Sequence, residues 1–162
     1  MKKILFALFA TVFAFTFSAC SDDDEPKTNP QISIQCNGKE VQNNDVVKYV
    51  AEADFLGEMV AGHNTEPSFI STGGKKLEVS ITIPENKTDY FQWCGITSEC
   101  LNYKESGTFT RVKDNIQAKE SMELHAHFKT GIYTECKVKV DVKVNGKQER
   151  TFFLEYIYTE VK

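Results

Sequence analysis

The stretch Cys136-Lys137-Val138-Lys139-Val140-Asp141-Val142-Lys143-Val144 decides the fold, because apolar residues or Cys alternate with charged ones throughout. Successive side chains of a strand point to opposite faces, so this is a half-buried strand with one face in a core and one in water. Asn145-Gly146 follows, a dipeptide whose tolerance of positive φ suits a type I′ hairpin turn. The chain returns through residues 151–158 with Phe152, Leu154, Tyr156 and Tyr158 in phase, which predicts a long antiparallel hairpin.

The same alternation recurs upstream. Ile32, Ile34 and Cys36 alternate before Asn37-Gly38; Leu77, Val79, Ile81 and Ile83 before Pro84; Met122, Leu124, Ala126 and Phe128 before Thr130-Gly131. Residues 90–94 and 108–112 are weaker strand candidates, and residues 46–53 add one more. About eight short strands separated by turn signals predict an all-β antiparallel sandwich of roughly 7–8 strands. Residues 46–56 also place Val46, Tyr49, Val50, Ala53 and Leu56 on one helical face, with Asn44 or Asp45 as N-cap. The β-branched and aromatic residues there favour a strand, and the helix stays open as an alternative. Residues 57–74 are the longest poorly patterned stretch and read as a mobile loop.

The chain has 162 residues, with 19 Lys+Arg against 23 Asp+Glu and a net charge of −4, which fits one small domain and excludes a basic nucleic-acid binder. Its apolar residues concentrate in an uncharged run at 4–17, preceded by Lys2 and Lys3 and closed by Phe17-Ser18-Ala19-Cys20. That run would rise about 21 Å as a helix, short of a hydrocarbon core of roughly 30 Å, so it reads as a secretory signal. The small residues before Cys20 resemble a bacterial lipobox, which implies lipidation of Cys20 by diacylglycerol and a fatty acyl chain such as palmitate. Ser21-Asp22-Asp23-Asp24-Glu25-Pro26 resembles the acidic export signal of Bacteroidetes surface lipoproteins, implying an outer-membrane, cell-surface location. The expected organisation is a signal peptide at 1–19, lipidated Cys20 and an acidic tether over 20–30, and the sandwich at 31–162. The mature chain would carry 17 basic against 23 acidic groups, a surface that does not attract nucleic acid.

Cys36, Cys94, Cys100 and Cys136 make an even four in an exported chain, which predicts disulfides. Alternation turns Cys36 and Cys136 toward the core, while Cys94 and Cys100 flank a five-residue turn. The expected pairs are Cys94 with Cys100 and Cys36 with Cys136; buried thiols at 36 and 136 are the alternative.

The layout resembles small single-domain surface lipoproteins of the Bacteroidetes with an immunoglobulin-like sandwich, a family of uncertain function. The matching pieces are Phe91-Gln92-Trp93-Cys94 with Cys100, a strand over 120–128, and Gly131-Ile132-Tyr133 opening the final hairpin. The resemblance implies a binding, adhesion or assembly role. Antibody-type domains bury a Trp between two bridging cysteines, whereas here Trp93 adjoins Cys94.

Two candidate sites follow from the residues. His125 and His127 share the strand face opposite Leu124 and Phe128, with Glu123 beside them, and read either as a solvated polar face or as part of a zinc or copper site; no further ligand cluster is evident, and His63 lies in a loop. Tyr90, Phe91, Trp93 and Tyr103 gather round the Cys94–Cys100 turn, and as exposed rings they would form a stacking platform for a sugar or a protein. Core packing is their other reading. No G-x-S-x-G elbow is present, and no cofactor motif stands out, so no enzyme and no cofactor are expected. The expectation is a lipid-anchored, non-catalytic module for a glycan, a host protein or an outer-membrane complex partner. The alternative is an inhibitor of a secreted enzyme using the disulfide-held loop.

Overall fold

In a computed structural model the described residues are 31–53, 56–62, 67–85, 88–128 and 134–158. The signal segment, Cys20, the acidic tether, His63 and residues 131–133 lie outside them. In chain order the strands are β1 (Ser33–Cys36), β2 (Lys39–Glu40), β3 (Val46–Val50), β4 (Glu52–Ala53), β5 (Met59–Ala61) and β6 (Ser68–Ile70). They continue with β7 (Lys75–Ile83), β8 (Tyr90–Gly95), β9 (Leu101–Tyr103), β10 (Gly107–Ile116), β11 (Lys119–Phe128), β12 (Thr134–Val144) and β13 (Lys147–Tyr158).

The deciding alternation forms the centre of a five-stranded sheet ordered β10-β7-β12-β13-β3. The hairpin turns at Asn145 and Gly146, with φ of 50° and 79°, as expected of a type I′ turn. Asn37-Gly38 makes the same kind of turn between β1 and β2, with φ of 51° and 73°. Every pairing in the five-stranded sheet is antiparallel except that of β3 with β13, which is parallel.

The second sheet is built around β11. β8 pairs along one side of it, carrying β9 outside, while β5 and β6 share the other side. β1 and β2 extend from β6, and β4 extends from β5. The core lies between the sheets: Leu77, Val79, Ile81, Val138, Val140, Phe152 and Leu154 face Phe69, Phe91, Trp93, Met122 and Ala126, all with no or almost no exposed area. Tyr156 crosses the gap and donates its hydroxyl to the Leu124 carbonyl at 2.8 Å, which satisfies a phenol that would be costly to bury alone. The chain is thus an all-β sandwich.

The structure settles two local ambiguities. Residues 46–53 are strand, yet they serve both sheets: β3 pairs with β13, and after Ala51 the chain passes to β4 in the other layer. Residues 57–74 are not a single loop, since β5 and β6 lie within them and dock on β11. Three-residue strands are too short for alternation to show. Gly62, between them, has φ of +86° and approaches so closely that an added Cβ would stand 2.7 Å from the Leu124 carbonyl oxygen.

Candidate binding loop

β8 carries the first cysteine of the expected short pair one residue before its end at Gly95, and Cys94 and Cys100 are bonded, with Cα atoms 4.1 Å apart. The segment they close is tightly curled. Gly95, Ile96 and Ser98 have φ of 85°, 62° and 64°. A left-handed conformation is unfavourable for a β-branched residue, and Ile96 is held in it by complete burial and by its N–H, which donates to the Ser121 carbonyl at 3.2 Å. Gly95 has no alternative, because a Cβ there would press on the backbone of Ser121 and Met122.

The second clasp is Arg111, at an inward position of β10 in the opposite sheet. Its Nη1 donates to the Gly95 and Glu99 carbonyls, each at 2.8 Å, and its Nη2 to the Trp93 carbonyl at 2.9 Å. The guanidinium carbon lies 4.4 Å from the centroid of the Trp93 ring. Arg111 is 5% exposed, so these bonds form largely out of water, and a planar fork is suited to serve several carbonyls at once. Thr97, Ser98, Glu99 and Cys100 remain exposed, with Leu101 beside them at the start of β9. The result is a small rigid surface held by a disulfide and a buried cation. Arg111 carried a readable signal, a charged residue in phase with Phe109, and sequence reasoning overlooked it.

The aromatic platform is corrected. Phe91 and Trp93 are fully buried, on the inner face of β8, and only Tyr90 and Tyr103 retain partial exposure. The rings pack in a chain, with Trp93 to Tyr103 at 6.2 Å and Tyr103 to Phe109 at 4.3 Å between centroids. They form a foundation for the loop rather than its contact surface. Burial wins because strand alternation gives Phe91 and Trp93 the core side and leaves Tyr90, Gln92 and Cys94 on the other.

The long-range disulfide is also corrected. Cys36 and Cys136 are buried and are not joined by a disulfide. Cys136 stands across from Tyr156, Tyr156 across from Tyr49, and Tyr49 is the residue whose hydroxyl meets Cys36. Each sulfur thus has a tyrosine for a neighbour, Tyr49 at Cys36 and Tyr156 at Cys136. Burial pushes the Cys36 thiol up to about 12, with the Tyr49 hydrogen bond pulling weakly the other way. Burial likewise raises the Tyr156 phenol well above its ordinary value.

His125 and His127 do share the outer face of β11, but that face is not open there. His125 is buried, with Nε2 3.3 Å from a Glu123 carboxylate oxygen. The His127 ring stacks on Tyr90 at 4.1 Å, and its Nδ1 lies 3.5 Å from Glu58. Among the described residues no three His, Cys, Asp or Glu side chains gather as a metal site.

No family model matches the chain, and no curated protein matches it. Among solved structures, the N-terminal domain of PorA is similar over 82% of this chain and 100% of its own length, with 16% identity and a TM-score of 0.55. That likeness shows the fold. The PapD-like domain 7 of human CEP192 (6% identity, TM-score 0.43, 85% of this chain and 94% of that one) and CfaE are more distant. CfaE, the adhesive subunit of CFA/I fimbria of enterotoxigenic Escherichia coli, has 9% identity and a TM-score of 0.41 over 82% of this chain and 50% of its own. Scores of that size carry no argument. The fold is that of an all-β sandwich domain of two packed sheets, shared with the N-terminal domain of PorA.

Proposed function

We propose that this chain is a lipid-anchored, surface-exposed, non-catalytic binding or assembly module that presents its disulfide loop to a glycan or protein partner. The observation that carries the reading is the convergence of Arg111 and the Cys94–Cys100 bond on one exposed turn. A surface turn ordered in advance loses less entropy on binding than a floppy one. Its exposed tip mixes hydroxyls, a carboxylate and the apolar Leu101, chemistry suited to a polar partner with a small apolar contact. The same rigidity suits an inhibitor, but a curled turn offers a patch of side chains rather than an extended segment able to lie in an active-site cleft.

The anchoring half of the reading rests on residues 1–26 of the sequence. Metabolic labelling with an alkyne-bearing palmitate should mark the wild-type chain and lose the mark in Cys20→Ser. External protease should degrade the chain on intact cells. Binding is tested by probing arrays of glycans and purified matrix proteins with the wild-type chain and with Glu99→Lys and Leu101→Asp. A ligand whose signal falls at least tenfold in both variants supports the loop; a ligand indifferent to both places the interface elsewhere.

A further inference from the structure

We infer that β3 is a pairing edge for a second copy of this chain, joining the five-stranded sheets of two molecules through antiparallel β3 strands about a two-fold axis at Lys48. The inference goes beyond the proposed function and uses a different surface. Among the described residues β3 is the last strand of its sheet and pairs on one side only, with β13. Phe153 N–H donates to the Asp45 carbonyl and Ala51 N–H to the Ile157 carbonyl, both at 2.8 Å. Odd-numbered residues therefore spend their backbone groups on β13. By the alternation of a strand, the N–H and C=O of Val46, Lys48 and Val50 face the open side.

The side chains of that strand suit a copy of itself. Val46 and Val50 are 39% and 57% exposed, two of the few large apolar residues on the surface among the described residues. In an antiparallel register centred on Lys48, Val46 meets Val50 of the other copy, and both bonding partners of each facing pair come from groups the monomer leaves outward. Lys48 meets Lys48, and each ammonium already has a counter-charge, since its Nζ is 2.7 Å from Glu155 Oε2 on β13. Space is available. A groove of about 450 Å³ is lined by Val46, Val47 and Lys48 of β3 together with Lys39, Glu40 and Val41. The approach to β3 is firm, because Arg150 donates to the Val41 carbonyl and Thr151 N–H to Asn43 Oδ1 at 2.9 Å.

The other described edges are blunted in the ways that prevent pairing. β2 and β4 have two residues each, and β9 has three. β10 is long but presents Thr108, Thr110 and Asp114 with Val112, and its register breaks between Lys113 and Ile116. β3 is regular and uninterrupted, its outward Val46 and Val50 are apolar, and the charge of Lys48 between them is paired with Glu155.

Facing residues of a hydrogen-bonded antiparallel pair have Cα atoms about 5.5 Å apart, within disulfide reach. In the full chain expressed in cells, Lys48→Cys should give a disulfide dimer on non-reducing gels at least tenfold stronger than Val112→Cys, an exposed cysteine on the opposite edge. Adding Val50→Lys to Lys48→Cys should reduce that band at least threefold. The wild-type chain tests the same contact without a variant: amine-reactive cross-linking should yield a peptide pair joined Lys48 to Lys48, which only two molecules can form. Absence of that peptide pair, or equal dimer from Lys48→Cys and Val112→Cys, overturns the inference. A monomer whose β3 edge instead protects a strand of a different protein overturns it equally.

Discussion

The guanidinium of Arg111 covers the Trp93 ring at 4.4 Å while its Nη2 donates to the carbonyl of the same residue. One side chain from the edge strand of one sheet thus ties down both the core tryptophan and the turn that follows it in the other. The disulfide and the buried Ile96 hold the curled loop from its own sheet, and Arg111 holds it from the opposite one.

Replacing Arg111 should therefore cost stability and loosen the loop together. Arg111→Met leaves the Trp93, Gly95 and Glu99 carbonyls without their donor, and the expected loss is about 2–4 kcal/mol. Arg111→Lys should recover only part of it, since an ammonium lacks the planar fork. Guanidinium unfolding with an unchanged denaturant slope reads the change; a shift below about 0.5 kcal/mol would count against the clasp.

Trp93 is fully buried, so its fluorescence reports the core rather than a binding face. Emission should be blue-shifted and resistant to iodide, and no glycan should alter its quenching directly. A red-shifted, readily quenched tryptophan would contradict the packing of β8.

The cysteines should behave as two classes. Under denaturing, non-reducing conditions alkylation should reach Cys36 and Cys136 and spare Cys94 and Cys100, as read by peptide mass. In the native chain Cys36 should react slowly even at mildly alkaline pH, because its thiol is pushed up to about 12 from 9.0. The folded state then holds a proton that the unfolded state releases. Stability from this group is intact below about pH 9 and declines as pH rises from there toward 12, with Tyr156 adding to the loss. Cys36→Ala should flatten that decline.

On the acid side Glu155 is the group to follow. The Lys48 ammonium beside it holds its carboxyl below the ordinary 4.5. Its contribution is present above that value and is lost as pH falls through the lowered folded one. Glu155→Gln should make unfolding less sensitive to pH in this range, and an unchanged acid limb would show that the pair contributes nothing.

Long strands were legible in the sequence because alternation over many residues has one reading: β7 follows it residue for residue, and β11 and the β12–β13 hairpin follow it apart from the buried His125 and Glu155 and a register shift after Val142. β5 and β6 were hidden, since three residues cannot display a period and their pairing is decided by β11 across the sheet. The short disulfide was legible from spacing. The pairing of Cys36 with Cys136 failed because inward parity says that a side chain is buried, not what stands next to it, and here Cys36 meets the Tyr49 hydroxyl while Cys136 lies beside Tyr156. The same parity, applied to Phe91 and Trp93 with Gln92 between them, would have placed both rings in the core. Arg111 was the missed residue of the site, a cation at an inward position whose partners are backbone carbonyls that no sequence motif marks.

The central claim is that residues 95–101 are ordered before any partner arrives. Backbone ¹⁵N relaxation on the free chain tests it most directly. The account predicts order parameters there of about 0.85, equal to those of the sheets, falling in Arg111→Met while the core strands stay rigid. Order parameters below about 0.6 in the wild-type chain, unchanged by the substitution, would contradict it.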